Sequence, residues 1–143
     1  LERLAAEVNG RIEFTGRVPD EFVRAALSTA DVGVSPDPAN GFNEYCTMNK
    51  TLEYMAAGAP VVAFDLTETR ASAGDAALYA KPNDPAELAR LIVELLDDPD
   101  ARKRMSEIGR ERICGPLSWS VSAKNLLAAY EAALELPKVN STT

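Results

Sequence analysis

The chain of 143 residues contains no histidine and only two cysteines, Cys46 and Cys114. Without histidine, the chain itself can supply neither a zinc–histidine site nor a histidine general base. Two cysteines are too few for a disulfide framework, so a reducing cytoplasm is the expected compartment. No apolar run approaches the eighteen or so residues that a membrane helix needs, and no transmembrane segment is expected.

Positive charge is also scarce, because 22 acidic residues outnumber 15 basic ones and give a formal net charge of −7. A nucleic-acid-binding protein usually carries a basic patch, so no nucleic-acid partner is expected. A small anionic ligand would need locally concentrated positive charge instead. The basic residues that could supply this charge are Arg17, Lys50, Arg70 and Lys81.

The remaining composition is that of a globular protein, with 46% hydrophobic and 26% charged residues. Short apolar runs alternate with segments of helical periodicity, which predicts a three-layer α/β domain with a Rossmann-like parallel sheet over residues 1–136. The tail, residues 137–143, is predicted to be disordered. Four strands are predicted, at residues 11–15, 32–36, 61–64 and 77–80. Helices are predicted near residues 1–8, 21–31, 47–57, 84–96, 100–113 and 119–136.

Several side chains are predicted to define these elements. Thr47 is expected to cap the start of a helix, and Gly58 is expected to end it. Residues 66–76 are expected to form a loop with one helical turn, and Trp119 is expected to pack in the core. The inner face of the helix at 84–96 is predicted to consist of Leu88, Leu91, Ile92, Leu95 and Leu96.

Residues 43–65 form the stretch with the clearest chemistry. A helix that starts near Thr47 would place Asn49, Lys50 and Glu53 on one stripe, while Leu52, Met55 and Ala56 would face the core. Backbone N–H groups of residues 47–49, together with Lys50, could then hold a diphosphate, and Glu53 could accept two hydrogen bonds from a ribose diol. Alternatively, Lys50 and Glu53 form only an exposed salt bridge.

The run EYMAAGAPVVA, which begins at Glu53, resembles the donor-binding signature of the family 4 (group 1) glycosyltransferases. Three further runs, RIEFTGRVPDEFVRAALSTADVGVSP, NDPAELARLIVELLDDPDARKRM and LSWSVSAKNLLAAYE, are similar to other parts of the same domain. The resemblance covers residues 1 to about 135. It implies the C-terminal half of a two-domain enzyme of the GT-B fold, which would make this chain an incomplete GT-B C-terminal domain.

The resemblance also implies site residues. The family places two acids in an E-x7-E pattern, and Glu53 matches the second acid, which is expected to bind the donor ribose. The first acid would contact the sugar, but Tyr45 stands at its position and Glu44 lies one place away. A branch of the family with the pattern N-K-x-x-E-Y-M-A commonly lacks this acid. The expected substitutes are Asn43, Thr47 and Lys50, with Asn49 beside them.

Gly16, Arg17 and Val18 match the turn of the family that lies near the nucleotide base, although an ordinary strand-to-helix turn would have the same residues. No catalytic residue is expected in this chain, because the family places its catalytic histidine in the N-terminal domain. An Arg and a Lys for the phosphates are expected before Leu1. No metal or cofactor is expected, since the donor is itself the substrate.

The implied function is transfer of a hexose from a nucleotide-diphosphate sugar to an acceptor, as in polysaccharide biosynthesis, with the acceptor held by an N-terminal domain outside this sequence. That domain could also bring the protein to the inner membrane. Two further strands are expected before Leu1, so a stable isolated chain is expected to form a homo-oligomer. The alternatives are a non-catalytic nucleotide-binding or protein-interaction domain and a small doubly wound signalling module.

Overall fold

The computed structural model describes residues 12–135, and at its centre lies a parallel sheet of three strands. The strands are β1 (Gly33–Ser35), β2 (Val61–Phe64) and β3 (Ala77–Ala80), and they are arranged in the order β1-β2-β3. Val62 of β2 pairs with Val34 on one side and with Leu78 on the other. The central strand β2 is buried along its whole length, as its unbroken apolar sequence predicts.

Helices connect the strands and cover the sheet. Within residues 12–135 the α-helices are α1 (Asp20–Thr29), α2 (Asn49–Ala57), α3 (Thr67–Ala73), α4 (Pro85–Asp97), α5 (Pro99–Cys114) and α6 (Trp119–Glu135). Short 3₁₀ helices lie at Asn43–Tyr45 and Gly74–Ala76 in the same part of the chain. No helix in the part of the chain that the structure describes is both long and apolar enough to cross a membrane.

The two faces of β2 belong to two separate apolar clusters. Val62 and Phe64 pack with Leu88, Leu91 and Leu95 of α4. On the opposite face, Val61 and Ala63 pack in a second cluster that includes Met55 of α2 and is bordered by Ile108 and Ile113 of α5. Side chains alternate between the two faces along a strand, so helices cover both sides of the sheet. The predicted three-layer α/β class with a parallel sheet is therefore confirmed.

The predicted helix ends are confirmed at three positions. Gly58 follows α2 with φ +86°, a left-handed conformation that glycine adopts without strain. The Asp84 side chain accepts hydrogen bonds from the N–H groups of Ala86 and Glu87 and thereby caps α4. Asp98 caps α5 in the same manner through the N–H of Ala101.

The strand predicted at residues 11–15 is not observed, since residues 12–15 belong to no strand and Ile12 and Phe14 are exposed. A strand is stabilised by pairing, and no described strand lies beside this segment. The prediction of four strands is therefore wrong for residues 12–135. The predicted first helix and disordered tail lie outside the described residues.

Other details also differ from the sequence-based expectations. Residues 67–73 form helix α3, where mainly loop was expected. Leu96 is 45% exposed although Leu95 is 1% exposed, because Leu88, Leu91 and Leu95 follow the helical spacing and Leu96 lies off their stripe. Ala56 is likewise exposed and does not face the core.

Trp119 was expected in the core, yet it is 74% exposed at the start of α6. The side chains described on α6 are nearly all exposed, so this helix buries no apolar stripe against the sheet. Helix α1 also contains no buried residue. The large apolar residues exposed on these two helices are Phe22, Val23, Trp119, Val121, Leu126, Leu127, Tyr130 and Leu134.

Candidate functional site at the carboxyl ends of the strands

The three strands are parallel, so their carboxyl ends lie at one edge of the sheet. Residues 36–48, which we call the β1–α2 loop, begin at this edge and lead into α2. The Asn40 side chain organises the loop by accepting hydrogen bonds from the N–H groups of Phe42 (3.0 Å) and Asn43 (2.8 Å). The side-chain amide of Asn43 donates to the Pro38 carbonyl at 2.8 Å. The loop therefore has its own hydrogen-bonded structure.

A second contact attaches the β1–α2 loop to the turn that follows β3. The Oδ1 atom of Asn83 accepts a hydrogen bond from the Ala39 N–H at 2.8 Å, and its amide donates to the Ala39 carbonyl at 3.4 Å. Asn83 has φ +61°, a conformation that asparagine adopts more readily than most residues. The ends of β1 and β3 are thus connected across the edge of the sheet.

Lys50 lies in the first turn of α2 and forms an ion pair with Asp37 of the loop, with Nζ 2.7 Å from Oδ1. The other oxygen of Asp37 accepts a hydrogen bond from the Ser35 hydroxyl at 2.5 Å. Burial raises the pKa of Asp37, but the hydrogen bonds from Lys50 and Ser35 and the charge of Lys50 outweigh burial and hold it below its usual value. The salt bridge considered between Lys50 and Glu53 is therefore not the one that forms.

Glu53 lies one turn further along α2, and its exposed side chain lines a cleft of about 360 Å³ between α1 and α2. The other walls are Asp20, Val23, Arg24 and Leu27 of α1. Sequence reasoning did not select these four residues, although their spacing of three, one and three positions places them on one helical face. Glu53 thus has neighbours from α1 as well as from its own helix.

The turn formed by Gly16, Arg17 and Val18 comes shortly before α1 and leads to Asp20 at the wall of this cleft. Gly16 has φ +62°, which explains why a glycine stands there. Arg17 is exposed and Val18 is half-buried. The predicted turn is therefore present, and a role for it in binding a nucleotide base stays a prediction.

Thr47 does not cap α2, contrary to expectation. The helix begins at Asn49, and the residue before it, Met48, makes no side-chain capping hydrogen bond. The Thr47 hydroxyl instead donates to Oε1 of Glu68 in α3 at 2.6 Å. Asn49 is exposed at the first position of the helix, where backbone N–H groups have no partner within the helix.

Tyr45 stands at the position of the expected sugar-binding acid, and Glu44 precedes it. Their side chains have different surroundings. The Tyr45 side chain is 78% exposed on the β1–α2 loop. The Oε1 atom of Glu44 accepts hydrogen bonds from both the N–H and the hydroxyl of Thr67. Glu44 therefore holds the loop against the start of α3.

A second ion pair follows the end of β2. Arg70 donates from two nitrogens to the two oxygens of Asp65, at 2.7 and 2.6 Å, and its guanidinium lies 4.1 Å from the ring centre of Tyr79. The hydrogen bond from Arg70 lowers the pKa of Asp65. Burial raises the pKa of Tyr79 to about 12. Because Arg70 is already paired twice, it is less available than Lys50 to an incoming anion.

The structure thus brings several of the predicted residues to one edge of the sheet. Asn49 and Lys50 start α2, Glu53 follows one turn later, and Asn43 and Thr47 belong to the loop that leads into this helix. Among the described residues, no group of three or more His, Cys, Asp or Glu side chains is placed to hold a metal ion. The protein is thus a three-layer α/β domain with a candidate ligand site outside the carboxyl ends of its parallel strands. This site consists of the polar edge and the cleft beside it.

The chain belongs to the family of group 1 glycosyl transferases, whose model matches residues 1–98. It is 31% identical over 138 residues to an MMP alpha-(1->4)-mannosyltransferase of Mycolicibacterium hassiacum, covering 93% of this chain and 32% of that protein. It is 30% identical over 129 residues to a GDP-mannose-dependent monoacylated alpha-(1-6)-phosphatidylinositol monomannoside mannosyltransferase of Corynebacterium glutamicum, covering 88% of this chain and 34% of that protein.

Among solved structures, the chain resembles sucrose-phosphate synthase from Thermosynechococcus elongatus, with a TM-score of 0.74 and 26% identity. The match covers 93% of this chain and 33% of that one. The chain therefore spans about a third of the length of these relatives. The family expected from the sequence is confirmed, and the structural match supports the GT-B assignment.

Proposed function

We propose that this chain is the donor-binding part of a longer glycosyltransferase that uses a nucleotide-diphosphate sugar. The observation that carries the proposal is the position of Glu53, which lines the cleft between α1 and α2 one turn beyond the start of α2. That start lies at the carboxyl edge of a parallel sheet, where open α/β domains bind their ligands. Membership in the group 1 glycosyl transferases adds independent support.

Each part of the donor has a proposed partner. The carboxylate of Glu53 accepts hydrogen bonds from the two ribose hydroxyls, and the turn at residues 16–18 lies against the base. The diphosphate binds the N–H groups at the start of α2 and the ammonium of Lys50. These fixed donors stabilise the negative charge that develops on the diphosphate as the bond to the sugar breaks.

The names of the relatives guide the choice of donor to be tested. Two of them are named as mannosyltransferases, and the name of one specifies GDP-mannose. A hexose donor, with GDP-mannose tested first, is therefore the proposal. The acceptor class is proposed to be a glycolipid or a growing polysaccharide, because one relative is named for a phosphatidylinositol mannoside.

The rest of the glycosyltransferase is proposed to supply the acceptor site and the catalytic group. This chain spans about a third of its relatives, and α1 and α6 carry exposed apolar side chains that a further part of the protein would cover. A cytoplasmic protein that contacts the inner membrane through another domain fits the proposal.

A non-catalytic nucleotide-binding domain is the second candidate. Tyr45 stands where the family has a sugar-binding acid, and the neighbouring acid, Glu44, is already hydrogen-bonded to Thr67. This arrangement favours a site that binds the nucleotide without engaging the sugar. Measuring sugar transfer as well as nucleotide binding separates the two candidates.

Calorimetric titration of the full-length protein that includes this chain tests the proposal, with GDP, UDP and ADP as ligands. One of the three should bind, and Glu53→Gln should weaken its binding at least about tenfold, because a neutral amide is a weaker acceptor for two hydroxyls. Glu94→Gln is the matched control, since Glu94 is an exposed helical glutamate on α4, across the sheet from α2.

Two results would contradict the proposal. The first is that none of the three nucleotides binds, and the second is that Glu53→Gln and Glu94→Gln bind as tightly as the original protein. If a nucleotide binds but its mannose or glucose conjugate is neither transferred nor hydrolysed, the non-catalytic candidate is the correct one.

A further inference from the structure

Asp37 lies two residues beyond the end of β1, and both oxygens of its carboxylate have partners. Oδ1 is 2.7 Å from the Lys50 ammonium, and Oδ2 accepts the hydroxyl hydrogen of Ser35 at 2.5 Å. The sequence alone gave no reason to select Asp37.

The support for Asp37 continues into the interior of the domain. The Ser35 hydroxyl also accepts a hydrogen bond from Thr51 at 3.4 Å, and these two side chains are 2% and 0% exposed. Buried polar groups that lack a partner cost free energy, so the side chains in this series of hydrogen bonds strongly favour the orientations seen here. The carboxylate of Asp37 is therefore fixed by β1 and by α2 together.

The ion pair has a definite orientation toward solvent. The Lys50 side chain is 38% exposed, whereas that of Asp37 is only 17% exposed. Lys50 is therefore the more exposed partner of the pair. An ammonium group has three N–H donors, and Asp37 uses one of them. Lys50 itself belongs to the first turn of α2, whose first backbone N–H groups have no partner within the helix.

We propose that Asp37 is a positioning residue for the diphosphate of the donor, which it serves by holding the Lys50 ammonium at the start of α2. A free lysine side chain has four rotatable bonds, and fixing it costs rotamer entropy. The bond to Asp37 has already fixed it before the ligand arrives. The inference rests on the proposed function, because it requires that an anionic donor binds at this edge.

A carboxylate near a phosphate also repels it, so the two roles of Asp37 predict opposite results. If repulsion dominates, removing the charge of Asp37 strengthens diphosphate binding. If positioning dominates, the same change weakens diphosphate binding. It then has no further effect in a variant whose Lys50 has been replaced. The sign of the change and its dependence on Lys50 therefore decide between the two roles.

The experiment measures binding of GDP, UDP and ADP, and of the nucleosides guanosine, uridine and adenosine, to the full-length protein. For the diphosphate that binds, Asp37→Asn should raise the dissociation constant about threefold to tenfold, and Lys50→Met should raise it about tenfold or more. The variant with both changes should bind as Lys50→Met does. Binding of the matching nucleoside, which lacks phosphates, should stay unchanged in all three.

Asp65→Asn is the matched control, because Asp65 forms the other aspartate ion pair at this edge, with Arg70 at 2.6 Å. It should not weaken diphosphate binding, because it removes a negative charge and releases the Arg70 guanidinium. Ser35→Ala removes the hydroxyl that orients Asp37 and should weaken diphosphate binding in the same direction by a smaller factor. This variant also provides a second test if Asp37→Asn does not fold.

Three outcomes would overturn the inference: tighter or equal diphosphate binding by Asp37→Asn, an equal loss of nucleoside binding, or an effect of Asp37→Asn that persists in the Lys50→Met background. If the unaltered protein binds none of the nucleotides, the proposed function itself fails. The two failures are therefore distinguishable.

Discussion

Glu44 and Thr67, which are 23 residues apart in sequence, are joined by two hydrogen bonds to one carboxylate oxygen. The Oε1 atom of Glu44 accepts from the Thr67 N–H at 3.1 Å and also from the Thr67 hydroxyl. Thr67 is the first residue of α3, so Glu44 satisfies an N–H group that has no partner within the helix. The acid beside the expected sugar-binding position thus stabilises the structure.

Replacing Glu44 with alanine should lower the free energy of unfolding by about 0.5–2 kcal/mol, the usual cost of losing a capping side chain. Urea denaturation followed by circular dichroism measures this difference. Glu94→Ala is the control, because it removes an exposed glutamate from α4 and should cost less than about 0.5 kcal/mol. Equal stabilities of the two variants would contradict the capping role of Glu44.

Leu95 and Leu96 provide a test of the packing on one face of the sheet. Leu95 is 1% exposed and belongs to the cluster around Val62, whereas Leu96 is 45% exposed. Leu95→Ala should destabilise the domain by about 2–5 kcal/mol through the cavity that it leaves. Leu96→Ala should change stability by less than about 0.5 kcal/mol. Thermal denaturation of both variants checks the difference, and a larger effect at Leu96 would show that α4 is rotated relative to this structure.

Gly33 of β1 lies directly against the ring of Tyr54 from α2. A Cβ atom added at Gly33 would lie 2.3 Å from Cγ of Tyr54, which is far too close for two carbon atoms. Gly33→Ala should therefore destabilise the domain by about 1–3 kcal/mol, the typical cost of overpacking.

Gly41→Ala is the control for this prediction, because nothing lies within 4 Å of a Cβ added there. It should leave the midpoint of urea denaturation nearly unchanged. The packing of β1 against α2 would be incorrect if Gly33→Ala were tolerated as well as Gly41→Ala.

The ion pair between Asp37 and Lys50 predicts how stability depends on pH. The pKa of Asp37 is lowered in the folded protein, whereas an unfolded aspartate has a pKa of about 3.9. A lowered pKa stabilises the fold at pH values above the unfolded pKa, and this contribution is lost as the pH falls through the folded pKa. Asp37→Asn should therefore be less stable than the original protein near pH 7.

Urea denaturation at a series of pH values measures the difference. The gap between the two proteins should begin to close as the pH falls below about 4, where Asp37 starts to bind a proton in the unfolded chain, and it should close further as the folded protein binds that proton too. A gap of constant size from neutral pH to pH 2 would mean that the ionised form of Asp37 is not what stabilises the fold.

The sequence identified much of the scaffold because its signals are local. The apolar run from Val61 to Phe64 predicted the buried central strand, and the helical spacing of Leu88, Leu91 and Leu95 predicted α4. Gly58 predicted the end of α2, because glycine is favoured at the left-handed position that ends many helices. Predictions that depended on contacts with distant segments were wrong. These were the core packing of Trp119 and the strand at residues 11–15.

For the candidate site, the sequence by itself determined which residues share the exposed stripe of α2 and which family they resemble. Asn49, Lys50 and Glu53 are neighbours because of the period of a helix, which any sequence with this helix would share. Only the tertiary structure decided which groups they meet. Lys50 pairs with Asp37, thirteen residues earlier, and Glu53 faces α1 across a cleft. Contacts between distant segments depend on how strands and helices pack, and no local pattern encodes that arrangement.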